Sequence, residues 1–120
     1  MFKSMFFVFL GGGLGSLLRF GISQFLNTDF PYGTLLVNLV GSLLIGLTLG
    51  LFDRQILTQS LLLLLATGFC GGFTTFSAFA AENLKLLESG HTAQFISYSL
   101  GSLILGILIV FVGFKIAKFI

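Results

Sequence analysis

The few polar side chains of this chain lie at helical spacing inside apolar stretches. Asn38, Ser42, Gly46 and Gly50 occupy successive i, i+4 positions in one run, and Tyr98, Ser102 and Gly106 do so in another. An amide or hydroxyl in hydrocarbon needs a partner, since leaving one unpaired costs on the order of several kcal/mol. Two uses are open for Asn38: an interhelical hydrogen bond that glues helices, or a donor that lines a pore. The hydroxyls of Tyr98 and Ser102 pose the same choice between helix glue and a hydrogen-bonding track. Phe76 and Phe79, at i, i+3, share a face directly after Thr74 and Thr75. No nucleophile is paired with a base. Asp29, Asp53, Glu82 and Glu88 fall at or beyond the ends of the apolar stretches, and His91 stands alone in a loop. The chain is therefore not read as an enzyme. Its polar groups offer hydrogen bonding, as helix glue or along a pore.

The positioning elements follow from composition. Of 120 residues, 56% are hydrophobic and only 8% are charged, against about 25% charged in soluble domains. This is an integral membrane protein. Four apolar stretches, Ser4–Ile22, Phe30–Phe52, Gln55–Ala81 and Thr92–Phe114, each approach the roughly 20 residues that a spanning helix needs. They predict an all-α, four-helix transmembrane domain with spans at about 4–25, 32–52, 56–84 and 93–117. Lys3 before the first stretch resembles a signal peptide, but no small-x-small cleavage site follows, so that stretch is read as a helix. One cysteine, Cys70, and one histidine exclude an internal disulfide and a transition-metal cage. A scattered net charge of +2 does not suit nucleic acid. Four helices enclose little, so an oligomer is expected before any pore can be walled.

The third stretch, Gln55–Ala81, carries no charge over 27 residues. As one straight helix it would be about 40 Å long, against a bilayer core of about 30 Å. Inside it, Gly68–Phe79 reads GFCGGFTTFSAF. Gly68, Gly71 and Gly72 disfavour helix, and Thr74 and Thr75 follow. Such a cluster serves either close helix packing or a pair of half-helices whose freed backbone groups form an ion site. The second reading expects regular helical bonding to be lost between about Gly71 and Thr75.

In the first span Gly11, Gly15 and Arg19 share a face. The glycines allow close backbone approach. Arg19 is either an interfacial anchor or a positive charge at a pore mouth that concentrates anions. Asn27–Gly33 (NTDFPYG) is a turn and holds the sole proline, Pro31. Lys115 and Lys118 end the last span as snorkelling anchors. With four spans, Lys3, Arg54, Lys115 and Lys118 fall on one side, and Arg19, Lys85 and His91 on the other. This weak bias leaves two insertions open under the positive-inside rule: one orientation only, or copies inserted both ways.

GGGLGSLLRF (Gly11–Phe20), GTLLVNLVGSLLIG (Gly33–Gly46) and GFCGGFTTFSAF (Gly68–Phe79) together resemble the Fluc family of microbial fluoride channels, also called CrcB proteins. The match covers all four spans in order. The resemblance implies an antiparallel, dual-topology homodimer of four-helix subunits in the bacterial plasma membrane. Such a dimer exports fluoride passively through two pores and protects the cell from fluoride toxicity. It also implies a third helix broken mid-membrane, where the carbonyls of Gly71 and Thr74 from both subunits hold one structural sodium ion. Asn38, Phe76 and Phe79 match the family's pore asparagine and phenylalanines. Thr75 or Ser77, with Tyr98 and Ser102, match its hydroxyl track. Glu82 matches its glutamate after the third-helix motif, and Arg19 and Glu82 would then lie in the vestibules. The chain departs at Gly106, where the track often carries another hydroxyl one turn past Ser102.

The chemistry of the residues agrees. A pore for a strongly hydrated anion must replace water with neutral donors, and several weak sites release an ion better than one fixed cation. Ring edges at Phe76 and Phe79 are the positive part of the aromatic quadrupole. Two rivals carry other functions. A proton-coupled small multidrug transporter needs a carboxylate in mid-span, and no Asp or Glu lies there. A structural or regulatory membrane subunit would explain the packing but leave Asn38, Tyr98 and Ser102 without a purpose.

Overall fold

The computed structural model describes residues 1–120, and it is helical apart from one isolated bridge between Asn27 and Pro31. Three helices run unbroken: α1 (Phe2–Leu26), α2 (Tyr32–Asp53) and α6 (Thr92–Ala117). Between α2 and α6 lies a composite span, Gln59–Glu88. It consists of α3 (Gln59–Leu62), a π-helical run (Leu63–Cys70), α4 (Gly71–Phe73) and α5 (Phe76–Glu88). All four spans are long and apolar enough to cross a membrane. The longest dimension is 48 Å, close to the ~40–45 Å of a bilayer with its headgroups.

Local signals account for the boundaries. Pro31 precedes the first residue of α2, where its missing N–H is one the helix would leave unpaired. Thr58 opens α3 by accepting the Leu61 N–H at 3.3 Å, and Thr75 opens α5 by accepting the Ala78 N–H at 3.1 Å. Past the end of α5, Gly90 sits at φ +78°, the left-handed turn that glycine adopts most readily. There the His91 N–H returns to the Leu86 carbonyl at 2.8 Å.

Small residues set the packing. α1 crosses the π-helical run and α4 so closely that a Cβ at Gly11 would lie 2.7 Å from the Phe69 amide nitrogen. One at Gly15 would lie 2.7 Å from that of Phe73. Gly68 and Gly72 receive α1 from the other side. These glycines keep helical backbone angles, and the loss of regular helical bonding expected between about Gly71 and Thr75 falls at the end of that interval. The interruption is confined to Thr74 (φ −88°, ψ 158°) and Thr75 (φ −149°, ψ 121°), both extended. The glycines make the crossing, and the threonines make the break. Similarly, the small end of the α2 stripe packs within the subunit, Gly46 against the Val110 backbone of α6 and Gly50 against Ala117. At the far end Arg54 donates to the Ala117 and Ile120 carbonyls, both at 2.8 Å, and Lys118 pairs with Asp53 while lying 4.7 Å over the Phe114 ring. Lys118 thus clasps α2 to α6 as well as marking the span end.

Candidate functional site

The break is held by side chains from two other helices. Asn38, on α2, pairs with the backbone of Thr75: its Oδ1 accepts the Thr75 N–H at 2.8 Å and its Nδ2 donates to the Thr75 carbonyl at 3.2 Å. On α1, Arg19 Nε donates to the Gly72 carbonyl at 2.9 Å, and Ser16 Oγ approaches the same oxygen at 3.4 Å. Arg19 is therefore tied to the broken helix by one edge of its guanidinium. Gly41 lets the Thr74 methyl sit against α2, where any Cβ would collide with it. The four carbonyls from Gly71 to Thr74 lose their helical donors in this arrangement, and Arg19 and Ser16 take up that of Gly72. In a continuous helix Thr75 N–H would pair with Gly71, and Ala78 N–H with Thr74. Here Thr75 N–H turns to Asn38, and Ala78 N–H turns to Thr75 Oγ1.

A cavity of about 680 Å³ opens beside the break. Gly71, Thr74, Thr75, Asn38, Phe76, Phe79 and Ser102 all line it, together with Ser42 and Ser99. Phe76 stands out from the subunit, 80% exposed, with its ring 5.9 Å from that of Phe79. Most hydroxyl protons nearby already have acceptors: Ser42 donates to the Asn38 carbonyl at 2.7 Å, and Ser99 to Asn83 Oδ1 at 3.1 Å. Ser102 is different. Its hydroxyl is buried and has no hydrogen-bond partner. The second hydrogen of Asn38 Nδ2 and one proton of the Thr75–Ser77 hydroxyl pair, 3.4 Å apart, are also uncommitted. Ser77 itself is exposed and lies outside the cavity. One turn past Ser102, a Cβ at Gly106 would lie 3.7 Å from Ser42 Oγ, so a hydroxyl from α2 stands beside the position where α6 has none.

Tyr98 lies behind Phe79, ring centroids 4.9 Å apart, and is 2% exposed. Its one O–H donates to Glu82 Oε1 at 2.8 Å. Glu82 Oε2 accepts from Thr34 Oγ1 at 2.6 Å and from Asn27 Nδ2 at 3.4 Å. Glu82 lines a second cavity, of about 630 Å³, with Asn27, Asp29, Lys85 and His91. Tyr98 and Glu82 thus link the two cavities rather than share the first. From the sequence Asn27 is read only as the start of a turn and Ser99 only as a flank of Tyr98, and Thr34 and Asn83 are given no role. Asn83 and Ser99 stand next to Glu82 and Tyr98 in the chain, and that adjacency was the available signal.

The profile of a family described as CrcB-like protein, Camphor Resistance (CrcB), matches residues 6–114. The chain belongs to the CrcB-like family. Relatives in this family include a protein of Phocaeicola vulgatus, 45% identical over 115 residues, spanning 92% of this chain and 95% of its own. One of Thermus thermophilus is 47% identical over 113 residues, 91% of this chain and 89% of its own. One of Flavobacterium psychrophilum is 43% identical over 121 residues, 97% and 98% of the two chains. Each bears the name fluoride-specific ion channel FluC.

Proposed function

We infer that this CrcB-like chain is a fluoride-specific ion channel, a multi-pass protein of the bacterial cell membrane that lets fluoride leave the cell down its gradient. The observation that carries the reading is near-full-length similarity to relatives that bear that name. The geometry supplies a physical reason. Ser102 is a buried donor without an acceptor, which costs about 1–3 kcal/mol unless something accepts from it. An anion in the adjoining cavity would accept from Ser102, from the free Asn38 hydrogen and from the Thr75–Ser77 pair. The edges of Phe76 and Phe79 would add weak attraction. All these groups are neutral, so an ion can bind and still leave. Glu82 would stand in the vestibule of the second cavity, and Tyr98, its one proton committed to that carboxylate, stands between the two cavities at that end of the path. Arg19 contributes by bracing the break.

We further propose an antiparallel homodimer of dual topology. The cavity holds backbone carbonyls and polar side chains, yet it opens on the outside of one subunit beside an exposed Phe76. Lipid cannot satisfy such a surface. A second, inverted copy laid on it would wall two equivalent paths and bring two broken helices together. The Gly71 and Thr74 carbonyls, both without their helical donors, are hard oxygen ligands suited to a sodium ion between the copies. Such an ion would balance the paired carbonyl dipoles and hold the crossing. Efflux from liposomes tests the channel: loss of fluoride with retention of chloride is expected, and no flux of either ion refutes it. A C-terminal tag accessible from only one side of the membrane would refute the dual topology.

A further inference from the structure

The turn between α1 and α2 is tied down more firmly than a connection requires, and two of its side chains reach the Tyr98–Glu82 pair. The Phe30 carbonyl accepts the Thr28 N–H at 3.2 Å and the Tyr32 N–H at 2.9 Å, and Asn27 and Pro31 bridge across the turn. Asn27 Oδ1 accepts the Thr34 N–H at 3.0 Å, while its Nδ2 donates to Thr34 Oγ1 at 3.2 Å and to Glu82 Oε2 at 3.4 Å. Phe30 stands edge-on to the Tyr98 ring, centroids 5.3 Å apart at 72°.

We propose that the Asn27–Pro31 turn is a positioning element of the anion path: Asn27, acting through Glu82, keeps the Tyr98 hydroxyl turned out of the path and so sets how readily fluoride passes that end. The proposal rests on the path described above. Tyr98 has one donor proton, and an ionised carboxylate only accepts. Glu82 receives donors from the turn, from α2 and from α6. With all three in place its negative charge stays fixed on the side of the second cavity, and the Tyr98 proton stays on it. Asn27 is the one of these donors that also fixes another, through both the backbone and the hydroxyl of Thr34. Weakening it frees the carboxylate to swing, and its charge then opposes an anion in a medium that screens poorly. The other charged or titratable groups facing this cavity are Asp29 from the turn, Lys85 from α5 and His91 after it. None of them forms a hydrogen bond or salt bridge with Glu82, whose partners are Asn27, Thr34 and Tyr98.

The alternative is that Asn27 only caps α2 through Oδ1, and Asn27→Asp separates the two roles. It keeps an oxygen for the Thr34 N–H, and a negative charge at a helix N-terminus is favourable. It also replaces the donor that faces Glu82 with an acceptor. A cap alone therefore predicts normal flux. Positioning predicts normal yield, fluoride efflux from liposomes lower by roughly tenfold, and a higher half-saturating fluoride concentration. In a Glu82→Gln background the same substitution should change efflux by less than about twofold, because a glutamine amide can donate to the new carboxylate. Wild-type efflux from Asn27→Asp overturns the proposal, as does an equal loss in both backgrounds. Should Asn27→Asp fail to purify, Asn27→Ala carries the test in both backgrounds: efflux down roughly threefold with Glu82 and less than about twofold with Glu82→Gln supports positioning, and wild-type efflux or an equal loss in both overturns it. Phe79→Ile, measured alongside, reports on the path itself. If it and Glu82→Gln both conduct normally, the path is wrong, and the turn's role falls with it.

Discussion

The amide of Asn38 closes on Thr75 from both sides, accepting its N–H at 2.8 Å and donating to its carbonyl at 3.2 Å. A side chain on α2 thereby pairs both backbone groups of Thr75, and one hydrogen of its amide stays uncommitted beside the cavity. Helix glue and pore donor are both available to the same residue. Asn38→Asp separates them. The carboxylate can still accept from Thr75 N–H, but it has no donor for the carbonyl or for an anion, and it adds a repelling charge. Fluoride efflux from liposomes is expected to fall more than roughly tenfold while the protein purifies in its native oligomeric state. Normal conduction would remove Asn38 from the path and leave it as the clamp of the break.

Phe79 touches the cavity on one side and the Tyr98 ring on the other. Phe79→Ile keeps much of the bulk and removes the quadrupole. Fluoride efflux should drop markedly, since the positive ring edge is lost and the ring also backs Tyr98. Thermal stability should change by less than efflux does. Unchanged efflux would make the ring a packing residue only.

Ser102→Ala is the most economical test of the unpartnered hydroxyl. Removing a buried donor that has no acceptor should leave stability unchanged or raise it by up to about 1 kcal/mol. Efflux should nevertheless fall several-fold, by roughly the worth of one hydrogen bond to an anion. A thermal melt and an efflux trace on the same preparation decide the matter. A variant that melts lower and conducts normally would assign Ser102 to the fold.

The Gly71 and Thr74 carbonyls lack their helical donors, so withdrawing the proposed sodium should be felt in assembly. Purification with N-methylglucamine in place of sodium should shift the proposed dimer toward monomer on size-exclusion chromatography, and returning sodium should restore it. A dimer indifferent to sodium would leave those carbonyls to some other partner.

Much of this molecule follows from local pattern, which is why the sequence alone reaches it. The span count depends on the length and polarity of contiguous segments, and the turn at Asn27–Gly33 depends on proline and glycine. Asn38 and Ser102 are legible because polar groups in hydrocarbon must be used, and Phe76 and Phe79 because they share a face directly after Thr75, but only the family resemblance joins them into one set. Tertiary structure decided what each group does. Gly68 and Gly72 suit a crossing or a break equally well in isolation, and only the arrival of Gly11 and Gly15 from α1 makes them a crossing. The break falls at Thr74 and Thr75, where Asn38, 37 residues away, accepts the N–H of Thr75 that a continuous helix would give to Gly71. Tyr98 carries the same hydroxyl in any fold, but the direction of its proton depends on Glu82, and the place of Glu82 depends on Thr34 and Asn27. Hydrogen bonds are short and directional, so their pairing is fixed by which helices meet. Hydrophobic length needs no such meeting, and it is therefore written plainly along the chain.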